Sequence, residues 1–361
     1  MSKPANESVT TTAPRPSTRR RTWQWLVRST GWATALALAL GIVGQTARDR
    51  SVPLALMMYV PLAPLGLWAV LLDVLRRGQA LRPRFALAAA GFVSLVAGVV
   101  PMVGLRPPEP APPGATTLTL LHWNVQSGGR ITDGSRWGDM AARIVAREPD
   151  VIVLSETPPD PLLFATLRRR GNGWNAVQLH PGPGPGYWYN LLVCSRSPVS
   201  LDRQVPVRNG SAMAVTVTVR GRPLRLLVVD GMSTIPLLRT PFLHSVAAAC
   251  GDAARRGTPY DVVVGDFNSV GRSIGFDAVR SAAGGYGRAS DYCGGWRATW
   301  PAPLPVFDID HVMPHAGIAV TDCELFSSGL FDTDHRGQFV TLALPAGDAS
   351  SGPSGTAVSP H

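Results

Sequence analysis

The 361-residue sequence predicts an α/β (α+β) domain of two packed mixed β-sheets with helices outside, preceded by three transmembrane helices. Three observations predict it. From Leu118 onward, short apolar runs bounded by turn residues alternate with stretches of helical periodicity. Before residue 106, three uncharged apolar segments follow one another. Several apolar runs after residue 117 finish in an acid or an amide.

The N-terminal part comes first. Ser29 to Ala47 ("GWATALALALGIVG"), Ser51 to Leu72 ("PLALMMYVPLAPLGLWAVLL") and Phe85 to Leu105 ("FALAAAGFVSLVAGVV") carry no charge. Each is near the roughly 20 residues that cross a bilayer. A cleaved signal peptide accounts for the first segment but not for the two directly behind it. Arg15, Arg19, Arg20, Arg21 and Arg28 precede the first segment, and Arg76, Arg77, Arg82 and Arg84 separate the second from the third. The first joint holds only Arg48 and Arg50 with Asp49. By the positive-inside rule, residues 1–28 form a basic cytoplasmic segment, residues 29–105 cross three times, and the rest lies outside. The expectation is a multi-pass cell-membrane protein with an extracytoplasmic domain.

Charge supports this division. Of the net +10, residues 1–115 hold +9, from Lys3 and twelve Arg against Glu7, Asp49, Asp73 and Glu109. The remainder is nearly neutral, which argues against a broad nucleic-acid-binding surface there. Residues 106–117, "RPPEPAPPGATT", read as an extended proline-rich linker that lifts the C-terminal domain off the membrane. Residues 118–345 form one domain, and residues 346–361 have little to bury and read as a disordered tail. Cys194, Cys250, Cys293 and Cys323 lack the spacing of a zinc site. Outside the cytoplasm at most one bridge is expected, Cys293 with Cys323, while Cys194 in its apolar run reads as a buried thiol.

Within the domain, "LTLLHWNV", "DVIVLSE", "YNLLVCS", "AMAVTVTV", "PLRLLVVDG", "YDVVVGDFN", "IDHVMP" and "QFVTLAL" read as strands. "RWGDMAARIVARE", "PLLFATLRRR" and "PFLHSVAAACGDAARRG" read as helices. The polar residues then fall at strand ends: Asn124, Glu156, Asp266 with Asn268, Asp310 with His311, and Asp334 with His335 just before the last strand. One such residue is an ordinary turn former. Five strands with the same habit predict a shared acidic, amide-rich pocket, because polar groups buried without partners are costly.

The stretches "LLHWNVQSGG", "PDVIVLSET", "YNLLVCSRSPV", "VVVGDFNS", "ATWPAPLPVFDIDHVMP" and "DTDHRGQFVTLAL" resemble, in order, the motifs of the endonuclease/exonuclease/phosphatase (DNase I-like) family. The resemblance implies a four-layered α/β sandwich and hydrolysis of a phosphate ester, a nucleic acid or a phospholipid head group, with Mg²⁺ or Mn²⁺. It implies that Glu156 and Asp334 hold the metal, with Asn124 orienting Glu156 or a metal-bound water. Asp266 would position or deprotonate the attacking water, Asn268 would bind a phosphate oxygen, and His335, oriented by Asp310, would contact the phosphate or pass protons. His311 alternates to the opposite face of its strand and reads as structural. Tyr187, Trp188, Tyr189 and Asn190, in the glycine-proline loop "GPGPGYWYN", either approach the substrate or fold back onto the domain.

One departure stands out. Where the family commonly has a His, Tyr or Asn, this chain has Asp230 and Gly231. An ionised Asp cannot donate to a phosphate, so another group substitutes (His180 and His244 are candidates), activity is reduced, or the substrate differs. The departure motivates an alternative, a catalytically silent phosphate- or ligand-binding module on a membrane anchor. The retained Glu156, Asp266, Asn268, Asp310, Asp334 and His335 favour an enzyme. The apolar segments offer almost no polar residues for a transport pathway, which favours anchoring.

Overall fold

The computed structural model describes residues 18–128, 136–157, 173–179, 190–327, 329 and 332–346. The chain divides into two compact units. One comprises residues 1–40 and 62–96, the other residues 41–61 and 97–361.

The apolar N-terminal part forms α1 (Thr18–Ala47), α2 (Val52–Met58), α3 (Leu62–Leu75) and α4 (Ala86–Val99). Three equal spans do not form. Thr22–Ala47, with a mean hydropathy of 1.5, is the one helix among the described residues long and apolar enough to cross a membrane. The second segment breaks between Met58 and Leu62 into α2 and α3, bent by 61°. The third gives only the shorter run Ala86–Met102. The break has a cause in Pro61, which has no N–H to continue the helix and disfavours helical backbone at Val60. The expected three transmembrane helices are therefore corrected to one candidate, or two if the bent pair is one span.

In the first unit α3 and α4 meet through small residues. A Cβ on Gly66 would lie 2.6 Å from the Gly91 carbonyl oxygen. The buried Asp73 carboxylate accepts hydrogen bonds from the backbone N–H of Ala80 (3.3 Å) and Ala88 (2.9 Å).

In the second unit, β1 (Val103–Gly104) and β10 (Gly295–Trp296) form a short antiparallel pair. The six-stranded sheet has the order β12 (Ala319–Phe326), β13 (Gly337–Leu344), β2 (Thr116–Asn124), β3 (Val151–Ser155), β5 (Leu191–Ser195), β4 (Asn175–Leu179). The five-stranded sheet has the order β11 (Asp310–Pro314), β9 (Val262–Asp266), β8 (Arg222–Gly231), β7 (Gly210–Val219), β6 (Val199–Gln204). Each sheet is mixed, with one parallel pair inside it, β2 with β3 and β8 with β9. The inner faces meet in a core that includes Leu120, Val153, Val193, Met213, Val228 and Val264. Helix α5 (Trp137–Ala146) packs on the outer face of the larger sheet. Helices α6 (Thr240–Arg255) and α7 (Ile274–Ser281) cover the smaller one. These four layers match the expected architecture. The strands buried on both faces explain the uninterrupted runs "DVIVL" and "DVVVG".

The linker does not stand off. Its Arg106 N–H donates to the Asp291 carbonyl (3.1 Å), its Glu109 N–H to the Val320 carbonyl (2.8 Å), and Tyr292 Oη to the Glu109 carboxylate (2.5 Å). The segment read as a spacer is laid along the domain by its non-proline residues. Cys293 and Cys323 form the disulfide, and Cys194 and Cys250 are buried thiols. The helix expected in "PLLFATLRRR" and the tail after Ala346 lie outside the described residues.

Candidate active site

The two parallel pairs bring four strand ends together. Register aligns Asn124 of β2 with Ser155 of β3, and Asp230 of β8 with Asp266 of β9. Across the sheets, the buried Asn124 amide donates to Asp266 Oδ2 (2.8 Å) and to Glu156 Oε1 (3.1 Å). One amide thus ties both sheets and two acids.

Backbone geometry at this end is strained. Glu156 and Asn268 adopt φ of 51° and 46°, and Gln126 and Ser127 beside them 44° and 56°, where non-glycine residues are disfavoured. Asn268 is held there by its N–H donating to Asp266 Oδ1 (2.7 Å) and its side-chain amide donating to the Gly231 carbonyl (2.7 Å). Gly265 explains the glycine before Asp266: a Cβ would sit 1.8 Å from the Val229 carbonyl oxygen on β8.

His335, in the turn before β13, reaches across to β11. Its Nδ1 lies 2.9 Å from Asp310 Oδ2 and 3.9 Å from Asp266 Oδ2, and its Nε2 lies 3.7 Å from Asp334 Oδ1. Burial disfavours charge on the ring, but Asp310 and its hydrogen bond, with Asp266 and Asp334, more than offset it and push the pKa up to about 10. The same pairing holds the Asp310 carboxyl below its usual range although burial opposes it. Asp266 goes the other way: burial, then the neighbouring Asp310 charge, pushes it up to about 8 despite His335. Burial also raises Glu156, against its hydrogen bond from Asn124. The result is a histidine and acids whose proton affinities are pushed apart, a pattern found where groups exchange protons.

These groups open into a cleft of about 510 Å³ whose lining includes Glu156, Asn268, Asp334 and His335. It also contains Tyr59, Gln126, Arg239, Trp300 and Phe307, none of which the sequence singled out. Trp300 Nε1 donates to Asp334 Oδ2 (2.9 Å). The Arg239 guanidinium donates to the carbonyls of Asn268 (3.0 Å), Thr234 (2.8 Å) and Leu237 (2.5 Å). The one signal for Arg239 was an arginine in the otherwise uncharged "STIPLLRTP", just after the strand that ends at Gly231.

The remaining expected residues fall in several places. His311 is buried on the far face of β11 against Phe267 and Phe276, as its alternation requires, and burial lowers its pKa to about 4. Asn190 is buried, its amide donating to the Thr157 carbonyl (3.0 Å). Tyr187, Trp188, Tyr189 and His180 lie outside the described residues. His244 is exposed on α6 and lines a different hollow with Arg208 and Thr240. Asp230 is 1% exposed, neither oxygen has a hydrogen-bond partner among the described residues, and burial followed by the Asp266 charge raises its pKa well above normal.

The site suits a divalent cation. Single ligand atoms of Asp266, Asp310 and His335 lie within 4.8 Å of one another. Asp310 Oδ1 and Asp334 Oδ1 are buried without hydrogen-bond partners among the described residues, which is the condition a hard cation relieves.

No curated protein sequence matches the chain. Among solved structures, an endonuclease/exonuclease/phosphatase family protein from Bacteroides thetaiotaomicron is similar over 64% of this chain and 98% of its own, at 14% identity and a TM-score of 0.51. A mannosyl-6-phosphatase from the same organism (14% identity, TM-score 0.48) covers 62% of this chain and 99% of its own. A humanized D. rerio TDP2 (17% identity, TM-score 0.46) covers 63% and 98%. The Endonuclease/Exonuclease/phosphatase family model matches residues 121–335, the span that holds Asn124, Glu156, Asp266, Asn268, Asp310, Asp334 and His335, and the chain belongs to that family.

Proposed function

We propose that the protein is a membrane-anchored, metal-dependent phosphoesterase that hydrolyses a phosphodiester or phosphomonoester of a nucleic acid or a lipid head group. The carrying observation is the Asn124–Asp266–His335–Asp310 chain of contacts, which joins both sheets and reaches the cleft at His335. Glu156 and Asp334, with Asn124, would hold Mg²⁺ or Mn²⁺, which supplies Lewis acidity toward the phosphoryl oxygens. Asp266, with its raised proton affinity, accepts the proton of the attacking water. His335, kept cationic by Asp310, donates to a phosphoryl oxygen or to the leaving group. Asn268 spends one amide hydrogen on Gly231 and offers the other to the phosphate. Arg239 adds positive charge at the rim.

Anchoring by α1 is favoured over a cleaved leader because the residues directly after it pack on the domain: Asp49 accepts hydrogen bonds from Thr240 Oγ1 (2.8 Å) and Ile274 N–H (2.6 Å). A basic N-terminus followed by one crossing leaves the domain outside the cytoplasm, and the Cys293–Cys323 bridge suits an oxidising compartment.

The test is turnover of bis(p-nitrophenyl) phosphate and p-nitrophenyl phosphate by the full-length protein, with and without Mg²⁺ or Mn²⁺. Metal-dependent hydrolysis lost in Asp266→Ala is expected. A folded protein that binds phosphate and metal but turns over neither ester is the silent binding module suggested by Asp230.

A further inference from the structure

The active-site cleft is not made by the catalytic fold alone. Leu56 and Tyr59 of its wall come from residues 48–59, more than sixty residues before the family-matched span in sequence. This stretch is pinned at both ends. Arg48 donates through Nε to the Arg272 carbonyl (2.6 Å) and through its terminal nitrogens to Asp277 (2.6 Å) and the Ser273 carbonyl (2.7 Å). Asp49 is 4% exposed and accepts hydrogen bonds from Ser273 Oγ, Thr240 Oγ1 and the Ile274 N–H. At the far end, Met58 is buried with Val270 and Ile309, and Tyr59 Oη donates to the Asn268 carbonyl (3.0 Å). Asn268 is the residue held at positive φ beside Asp266, and its carbonyl also accepts from Arg239. Tyr59 is therefore a positioning residue for the phosphate-facing end of β9.

What this wall presents is hydrocarbon. Tyr59 meets Phe307 edge-on (ring centroids 5.3 Å apart), and Phe307 stacks on Trp300 (5.9 Å, 28°). Leu56, Ile235 and Ile309 complete the apolar lining. Two of these are left in the open at the mouth: Leu56 is 42% exposed and Ile235 77%. Trp300 and Phe307 stack on each other with no gap between them for a base. Among the described residues, Arg239 is the only arginine or lysine in the lining, and its guanidinium is directed at three backbone carbonyls. A polynucleotide needs a track of cations for its backbone. An alkyl chain needs only the wall. Only Arg48 to Ser51 separate α2, which carries Leu56, from α1, the candidate membrane helix, in sequence.

We propose that the substrate is an amphiphilic phosphate ester, a membrane lipid, with its phosphate at Asn268 and His335 and its hydrocarbon along Leu56, Tyr59, Ile235 and Phe307, so that residues 48–59 complete the active site. This rests on the phosphoesterase reading for its chemistry but not for its geometry.

The experiment separates the two. Full-length protein in nanodiscs, with empty nanodiscs as the blank, is titrated calorimetrically with inorganic phosphate, methyl phosphate, hexyl phosphate and a dinucleotide in the presence of Mg²⁺. Hexyl phosphate is expected to bind at least about tenfold tighter than methyl phosphate, since each buried methylene adds to affinity. The Leu56→Ser/Ile235→Ser double variant is expected to compress that ratio to about threefold or less. Arg48→Ala loosens the docked stretch without touching the cleft, and serves if the double variant does not fold. It is expected to shrink the ratio in the same direction. Equal affinity for methyl and hexyl phosphate, a ratio unchanged in both variants, or tighter binding of the dinucleotide would overturn the proposal. Chain-length preference without turnover of any ester keeps this inference and removes the phosphoesterase reading. Turnover without chain-length preference does the reverse.

Discussion

Asp310 and His335 share a 2.9 Å hydrogen bond that joins the two sheets, one residue from β11 of the smaller sheet and the other from the turn entering β13 of the larger. The pair is buried, and the Asp310 charge is the largest of the influences that raise the ring's pKa. Asp310→Asn keeps the shape and removes that charge. The expected outcome is a fall in kcat of about 10²- to 10⁴-fold, the range over which positioned acid–base groups act. Stability should fall by about 3 kcal/mol, because a buried partner is left alone. Steady-state kinetics on bis(p-nitrophenyl) phosphate and a thermal melt check the two halves separately.

The pH dependence of stability follows from the same ring. The folded pKa of His335, about 10, lies above its ordinary value of 6.5, so the ring favours the folded state fully below pH 6.5. That contribution is lost as pH rises through about 10. Asp266 pulls in the same direction, because its pKa is raised to about 8 and ionising it in the interior becomes costly above its ordinary 3.8. Metal-free protein should therefore melt progressively lower from pH 6.5 to 10. His335→Gln should remove the upper part of that slope, and an unchanged slope in the variant would disprove the assignment.

A divalent cation should reverse the loss. Binding at a hundredfold over Kd contributes about 2.7 kcal/mol. For a domain of this size that is a rise in Tm of about 5–10 °C. Because acid ligands must shed their protons to bind, the Mg²⁺-induced shift should be larger at pH 8.5 than at pH 6. Glu156→Gln should abolish most of it at both values.

Asp230 gives an opposite kind of prediction. Its oxygens are buried beside Asp266 with no partner among the described residues. Asp230→Asn removes the like-charge neighbour, and the metal-free protein should gain about 1–3 kcal/mol at pH 8. Hydrolysis should stay within about threefold, well short of the effect of losing an acid–base group. Loss of the Mg²⁺-induced thermal shift in this variant would instead make Asp230 a metal ligand.

Asp49 tests how firmly the N-terminal stretch belongs to the domain. Asp49→Ala removes an acceptor used by Thr240, Ser273 and Ile274. Hydrogen bonds to a charged group contribute about 1.5–3 kcal/mol each, and removing the acceptor leaves their donors unpaired. Limited trypsin digestion should then cut at Arg48 or Arg50 at least about tenfold faster, since cleavage follows the open population. Equal digestion rates would show that the stretch is held by its apolar end alone.

Much of this was legible in the sequence because it is local. A run such as "DVVVGDFN" carries its own burial, its close backbone approach at Gly265 and its strand-end acid within eight residues. The five polar strand ends were visible for the same reason, and the parallel pairs β2–β3 and β8–β9 gather them. What was not legible is what depends on docking. Tyr59 reaches Asn268 across 209 positions, and Trp300 reaches Asp334 across 34, with nothing in either local pattern to mark the contact. The membrane reading erred in the other direction. Apolar composition suggested three spans, while Pro61 interrupts the helical backbone that a span needs. The linker misled as well: its prolines signal an extended chain, but Glu109 and Arg106 between them supply the N–H groups that fasten it.

The left-handed backbone at Glu156 and Asn268 has a consequence for engineering. Both are positions where glycine would relieve the backbone strain while losing the hydrogen bonds that Glu156 accepts from Asn124 and Asn268 gives to Gly231. A redesign that scored backbone strain alone would choose glycine at both and discard the acid and the amide. Thermostabilised variants of this protein should therefore be sought everywhere except at those two residues, where tolerance of strain is the condition for having a reactive site at all.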